Sequence, residues 1–232
     1  MSFEKHYGKY MSYFLKLINP IKKLFISTKC KVHLFNNYHA IRLLKDYKYN
    51  NEFLFYKKYL YYLNQGSIWA DQDFKSTNHF YNPYKDKGLY GHSNSLALVK
   101  DYYNIATHYY KDDMKISMFY LGACIHIIQD LTIPQHVNIR LFDNHRQFET
   151  YVKYTHTIVR DYQSIDPPIL LDSPSSYVEY NSRVAVRIHE KYINVHPIKM
   201  RFHMIALTSL PLAQSSTAGC LILFYKHIKS NH

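Results

Sequence analysis

The chain has 232 residues, of which 47% are hydrophobic, and a formal net charge of +12 at pH 7. A chain of this length and composition can bury a substantial core, as a single globular enzyme domain does. Its three cysteines are too few and too scattered for a disulfide framework. The positive charge attracts nucleic acid, anionic lipid or another phosphate-bearing surface, and does not choose among them.

Residues 1–30 are predicted to form a partly helical extension ahead of the main domain. The apolar residues of one helical face are Tyr10, Phe14, Leu17, Ile21 and Phe25. Such a face suits a membrane surface, but Pro20 interrupts it, and packing on the protein itself is favoured. The stretch lacks the apolar run and the cleavage site of a standard signal peptide, so a cytoplasmic or non-classically exported protein is expected.

Residues 31–232 are predicted to form one all-α domain. Glycine is scarce, with six residues, and strand-like alternation bounded by turn signals is hard to find. The segment 166–176 is rich in proline and serine, which indicates a loop between helices. No run approaches the roughly 18 apolar residues of a membrane span, so no transmembrane helix is expected.

The stretch 120–149 contains the strongest chemical signal. His126 and Asp130 lie four residues apart in a run with helical apolar spacing, so both side chains leave one helix face. Pro134 ends this helix, because proline lacks the N–H and its ring clashes with the preceding turn. His136 then lies in the connection. This helix and corner, together with the second helical stretch described next, are predicted to surround one cavity.

A second helical stretch repeats this geometry with His145 and Glu149. Imidazole nitrogen and carboxylate oxygen are ligands that zinc accepts. A single such pair is more often solvated or satisfied within a core than bound to a metal. Five candidate ligands within 24 positions, arranged in helical register, predict a metal centre.

Several sequence patterns resemble those of the bacterial zinc-dependent phospholipases C, the group that contains alpha-toxin catalytic domains. The first is F-Y-L-G-x-x-x-H-x-x-x-D-x-x-x-P-x-H, followed by H-x-x-x-E. Upstream, GSIWAD and HFYNP are similar to the family's G-x(4)-D and H-F-Y-D-P elements, and HLFNNYHAI to its H-L-x(5)-A-I element. STAGCLILFYKHI resembles the last helix of the family. The patterns occur in the family's order over residues 31–229.

The resemblance implies a multi-helix fold, shared with single-strand nucleases, and a set of zinc ligands. One zinc would be held by Asp71, His79, His126 and Asp130. A second would be held by His136, His145 and Glu149. Asp130 would also contact a third zinc together with His33.

The third zinc needs a further ligand in this chain. In the family, the amine and carbonyl of an N-terminal tryptophan complete that site, whereas the only tryptophan here is Trp69. Cys30 and His39 are the candidates for a replacement; otherwise the third ion binds weakly or not at all. Two zinc ions are therefore expected, with the third left open.

The implied activity is hydrolysis of the glycerol–phosphate ester of phospholipids at a membrane surface, by a monomeric enzyme that uses Asp71 as the general base. The alternative is a zinc-dependent single-strand nuclease or 3′-nucleotidase, for which nucleic acid would be the substrate. A weakly active, zinc-stabilised homologue is the third possibility. Glu149 favours the lipase, because those nucleases usually carry aspartate at this position.

The head-group site is expected to differ from that of choline-specific relatives. These have a tyrosine directly after the base aspartate and a phenylalanine three positions before the histidine that matches His79. Gln72 and Ser76 occupy these positions here, and neither offers an aromatic face to a quaternary ammonium. Weak choline selectivity is expected, with anionic phospholipids cleaved at least as well as phosphatidylcholine.

Overall fold

The computed structural model describes residues 30–72, 79–84, 95–137 and 144–230. The amphipathic pattern predicted for the first residues, and Ser76 of the head-group prediction, lie outside these ranges. In the described part of the chain the helices are α1 (Lys31–Asp46), α2 (Asn50–Asp71), α3 (Ser95–Tyr109), α4 (Met114–Asp130), α5 (Pro134–Val137), α6 (His145–Thr155), a 3-10 helix (Arg160–Tyr162), α7 (Pro174–Tyr192) and α8 (Ile198–Ser230). None of the described residues forms a strand, and the predicted all-α fold is confirmed.

Helix α4 lies at the centre of the domain. The carboxylate of Asp113 accepts hydrogen bonds from the backbone N–H groups of Lys115 and Ile116 at 2.8 and 3.1 Å, which caps the start of this helix. All residues from Leu121 to Asp130 are buried. A helix that is enclosed on every side has little freedom to shift. The two metal-ligand candidates on α4 are therefore held in fixed positions.

Helix α2 crosses α4 at very short range, through two glycines. A Cβ atom added to Gly66 would lie 1.7 Å from the carbonyl oxygen of Phe119, and one added to Gly122 would lie 1.9 Å from that of Leu63. Only glycine fits such an approach of two backbones. Ser67 adds a hydrogen bond across the crossing, from Oγ to the Gly122 carbonyl at 3.0 Å. This contact fixes the last turn of α2, where Asp71 lies, relative to α4.

The sequence predicts no transmembrane helix, and α8 is the element that bears on this prediction. By length and composition it could cross a membrane, although 72% of its most apolar window is buried inside the protein. Polar residues between Gln214 and Thr217 break up the apolar run in the sequence, and these residues are buried too. The Gln214 side chain, for example, donates to the Tyr162 carbonyl at 2.8 Å. Such burial is typical of a core helix, and α8 packs against α1, α4 and α7.

Candidate metal centre

Six parts of the fold bring potential metal ligands together. Helix α1 contributes His33 from its first turn, and α2 contributes Asp71 from its last residue. The segment 79–84 contributes His79, which is buried. Helix α4 contributes the pair at its C-terminal end, α5 contributes His136, and α6 contributes His145 and Glu149 from its first two turns.

The first group consists of His79, His126 and Asp130, all buried, with one ligand atom from each within 4.8 Å of the others. Nδ1 of His79 lies 2.7 Å from Oδ2 of Asp130. Nε2 of His126 lies 3.2 Å from the same oxygen, but without the geometry of a hydrogen bond. The pair on α4 is four residues apart, as the predicted helix requires.

The other oxygen of Asp130 faces His33. Nε2 of His33 lies 3.2 Å from Oδ1 of Asp130, while Nδ1 of His33 lies 2.8 Å from Oε1 of Gln129. The amide nitrogen of Gln129 donates to Asn37 at 2.8 Å and to Thr217 at 3.0 Å, so its oxygen must face His33. Nδ1 of His33 therefore carries the proton, and Nε2 presents its lone pair towards Asp130 when the ring is neutral.

The second group consists of His136, His145 and Glu149. Nε2 of His145 lies 3.1 Å from Nε2 of His136 and 3.1 Å from Oε1 of Glu149. The ring of Phe80 stacks on that of His136 with 4.9 Å between centroids, which fixes its plane. Glu149 is the exposed member, so this group opens to solvent on one side.

The two groups belong to one centre. The backbone N–H of Tyr81 donates to the carbonyl of His136 at 3.2 Å, which ties the segment carrying His79 to α5. The charge of Asp130 also acts on the pKa of His136. The predicted arrangement of two helices and a corner is therefore present, with segment 79–84 and the start of α1 as further walls.

The donor atoms fit zinc. In a tetrahedral site with bonds of about 2.0–2.2 Å, two nitrogen or oxygen ligands lie about 3.3–3.6 Å apart. Three separations within the two groups, of 3.1–3.2 Å, are close to this edge, whereas His79 and Asp130 lie at the hydrogen-bond distance of 2.7 Å. One buried ring nitrogen on each of His79, His126 and His136 has no hydrogen-bond partner. An unsatisfied buried nitrogen is costly, and a cation bound in the first group would satisfy Nε2 of His126, which faces Asp130.

Electrostatics within the centre also favours a cation. Burial by itself raises the pKa of Asp130, but its interactions with the imidazoles of His126, His136 and His33 outweigh burial and hold the pKa well below its usual value. Burial, followed by the charge of His33, lowers the pKa of His126. Burial lowers the pKa of His136 to about 3, despite the opposing charge of Asp130. An ionised carboxylate and two neutral imidazoles are the protonation states that metal ligation requires.

His33 and His145 behave differently. Burial lowers the pKa of His33, but the charge and hydrogen bond of Asp130 exceed this effect and raise it to about 9. For His145, burial is likewise outweighed by the hydrogen bond and charge of Glu149, so its pKa lies above the usual value. His33 therefore carries a proton at neutral pH and must release it when it binds a metal.

Asp71 is not grouped with the residues that the resemblance gives as its co-ligands, namely His79, His126 and Asp130. Its negative charge instead contributes to the raised pKa values of Cys30 and His33. His39 lies outside all three groups of potential ligands, with its ring 4.3 Å from that of Phe35.

Sequence reasoning did not single out the polar residues beneath the centre. Asn37 receives the Gln129 amide and itself donates to Asn64 at 3.0 Å and to Ser67 at 3.1 Å. Thr217 joins them from α8. The available signal was the glutamine in the sequence Ile-Ile-Gln-Asp. A polar side chain within a buried, mainly apolar run indicates a buried hydrogen-bond partner.

Residues 32–195 match the protein family described as zinc dependent phospholipase C. The chain belongs to this family. The family resemblance noted in the sequence is thus confirmed, and zinc is the metal on which the family depends. A comparison with curated proteins finds no match.

Solved structures confirm the fold. The alpha toxin from Clostridium absonum superposes with a TM-score of 0.72 at 18% identity, over 88% of this chain and 66% of the toxin chain. The alpha-toxin of Clostridium perfringens, isolated from avian strain SWCP, gives a TM-score of 0.72 at 16% identity, over 87% of this chain and 64% of that chain. This member of the zinc-dependent phospholipase C family therefore spans about two thirds of the length of each toxin.

Proposed function

We propose that the protein is a zinc-dependent phospholipase C that hydrolyses the glycerol–phosphate ester of phospholipids. The observation that carries this proposal is the buried group His79–His126–Asp130, in which Nε2 of His126 faces the Asp130 carboxylate at 3.2 Å without a hydrogen bond, in a chain of this family. The family match favours the lipase over the nuclease alternative.

Some residues of the centre would bind zinc, and one would transfer a proton. His79, His126 and Asp130 would hold one zinc, and His136, His145 and Glu149 a second. Zinc bound there lowers the pKa of water to about 7 and offsets negative charge on a phosphoryl group. Asp71, half-buried at the end of α2, would accept the proton of the attacking water as general base.

A groove beside the second group supports a lipid substrate. It has a volume of about 760 Å³ and runs along α6 from His145 to Tyr154, with Ile198 and Phe202 of α8 on its other side. A groove that includes a metal ligand, and whose polar lining is interrupted by Tyr151, Tyr154, Ile198 and Phe202, would accept the glycerol and part of the acyl portion of a lipid. A membrane surface would then lie against this side of the protein.

The test compares substrates and metal states of the full chain. Phosphatidylcholine, phosphatidylglycerol and single-stranded DNA are each incubated with zinc-loaded protein and with chelated protein, and elemental analysis counts the bound metal. We expect about two to three zinc ions per chain and release of diacylglycerol from the lipids, abolished by the chelator. Less than one zinc after supplementation would overturn the proposal. Cleavage of DNA alone would replace it with the nuclease, and zinc binding without any turnover would leave a zinc-stabilised homologue.

Head-group choice forms a second arm of the same assay. Gln72 is exposed after Asp71 and offers no aromatic face, so we propose that choline is not selected and that the +12 charge favours anionic vesicles at low salt. A strong preference for phosphatidylcholine in detergent, where surface charge matters least, would contradict this part.

A further inference from the structure

Cys30 immediately precedes α1 and lies beside the metal centre. Its Sγ is 3.8 Å from Nδ1 of His126 and 3.7 Å from the carbonyl oxygen of Ser67, and burial, followed by the charges of Asp71 and Asp130, raises the pKa of the thiol. Its side chain makes no capping hydrogen bond to α1. Cys124 and Cys220, in contrast, are buried within the main apolar core. Cys30 is therefore the one cysteine whose surroundings are those of a ligand.

The surrounding donors form a third group. One ligand atom from each of Cys30, His33 and His126 lies within 4.8 Å of the others. Cys30 and His33 are three residues apart across the first turn of α1, which places them on one side of the helix start. His33 in turn lies 3.2 Å from Asp130.

The distances leave room for a cation beside the thiol. Bonds of about 2.3 Å to sulfur and 2.0 Å to nitrogen at a tetrahedral angle put the two ligand atoms about 3.5 Å apart. One ligand atom of His33 lies within 4.8 Å of Sγ. Sγ is also 3.8 Å from Nδ1 of His126, whose other ring nitrogen faces Asp130. A cation between Cys30 and His33 would meet sulfur and imidazole donors, with the carboxylate of Asp130 3.2 Å from His33.

We propose that Cys30 is a thiolate ligand of a zinc ion that it shares with His33 and Asp130. The proposal rests on the proposed function only for the identity of the metal. When the ion binds, the S–H bond of Cys30 breaks, its proton passes to solvent, and the sulfur donates an electron pair to the zinc without a change of oxidation state. Cys30 thereby closes a third metal site.

His39 does not compete with Cys30 for this role. It lies six residues after His33 on α1, which is about 9 Å along the helix axis. Its ring packs against Phe35 and Tyr38 instead. Of the two candidates from the sequence, only Cys30 reaches the centre.

The backbone at Cys30 provides a matched pair of variants. Its φ is 38° and its ψ is 34°, in the left-handed region, where asparagine and aspartate are the best tolerated non-glycine residues. Cys30→Asp replaces the thiolate with another negatively charged ligand. Cys30→Asn has the shape of the aspartate variant but no negative charge. Cys124→Ala controls for loss of a buried thiol elsewhere.

The experiment replaces zinc with cobalt(II) in the full-length protein and records the near-ultraviolet thiolate-to-cobalt charge-transfer band. We expect the band in the unaltered protein and in Cys124→Ala, and its loss in both Cys30 variants. We also expect Cys30→Asp to retain the full zinc content, whereas Cys30→Asn loses one ion per chain.

The absence of the band in unaltered cobalt protein, or its persistence in Cys30→Asn, would overturn the assignment. The first of these outcomes requires no variant to fold. Phosphatidylcholine hydrolysis by the unaltered zinc protein is measured in parallel. Hydrolysis without the band would reject Cys30 as a ligand and leave the proposed function standing. The band without hydrolysis would support Cys30 as a ligand and reject the proposed function.

Discussion

Among the individual residues, Asp71 carries the most specific chemical expectation. Replacing it with asparagine preserves its size and one side-chain oxygen but removes the ability to accept a proton. We expect Asp71→Asn to lower the rate of lipid hydrolysis by roughly a hundredfold or more with the fold retained, as general-base loss typically does. The measurement is kcat at saturating zinc, with unfolding followed by circular dichroism.

Asp161→Asn is the control, because that carboxylate is exposed in the 3-10 helix. It should leave the rate unchanged. Activity of Asp71→Asn close to that of the unaltered protein would show that another group is the base.

His33 makes zinc binding depend on pH. Because its pKa is raised to about 9 by Asp130, zinc must displace a proton from it at any lower pH. We expect zinc affinity to rise with pH and this contribution to level off above about 9. The His33–Asp130 ion pair stabilises the zinc-free protein fully below pH 6.5, and that stabilisation is lost as pH rises through 9.

Calorimetric titration of the zinc-free protein in two buffers of different ionisation enthalpy measures the released protons. In His33→Ala the number released should fall by about one at pH 7. An equal number in both proteins would mean that His33 is already neutral or does not bind the metal.

The sequence predicts some of these residues well and others not at all. The pairs His126–Asp130 and His145–Glu149 follow from helical spacing, because a separation of four residues fixes two side chains on one face wherever the helix lies. His33 and His79 come from distant parts of the chain, and only the family resemblance suggested them. Gln129 was missed because its role depends on tertiary contacts that no local pattern encodes.

Among the elements, the crossing of α2 and α4 determines how the centre is assembled. A Cβ at Gly66 would collide with the backbone of Phe119, which has no flexible end to move aside. We expect Gly66→Ala to lower the free energy of unfolding by about 3 kcal/mol or more, at or beyond the upper range for overpacking. Urea denaturation of the full chain measures this value.

Asn104→Ala serves as the matched control, because Asn104 is exposed within α3 and alanine favours helix there. Its stability should be unchanged or slightly higher. If Gly66→Ala is equally stable, α2 and α4 must lie further apart than the structure indicates.

The helices themselves were more predictable than their packing. The all-α class followed from scarce glycine and helical periodicity, which are local properties. The burial of α8 was not predictable in the same way, because Gln214 and Thr217 look like polar interruptions until their partners on other elements are known. Buried polar contacts join the elements, and their pairing emerges only from the assembled fold.

For the whole molecule, the proposed membrane-facing side can be tested by its aromatic residues. Tyr154 lines the groove and is 69% exposed. We expect Tyr154→Ser to lower hydrolysis of phospholipid vesicles by about five- to tenfold, which corresponds to roughly 1–1.4 kcal/mol of lost interfacial contact. Hydrolysis of a short-chain, water-soluble lipid should change little, because the metal centre is untouched.

Tyr61→Ser is the control, since Tyr61 is 65% exposed on α2 and does not line the groove. It should leave both activities intact. Equal losses in the two variants would mean that the groove has no special part in binding the lipid surface.

The two oxygens of Asp130 point in different directions, Oδ2 towards His79 and His126 and Oδ1 towards His33. A first ion bound on either side would fix the carboxylate in the orientation that the other side requires, and would remove one proton or hydrogen bond that competes for it. Metal loading should therefore be cooperative. In a native mass spectrum at limiting zinc, empty and fully loaded molecules should outnumber intermediate forms. The amount of fully zinc-loaded protein would then rise steeply over a narrow range of free zinc concentration.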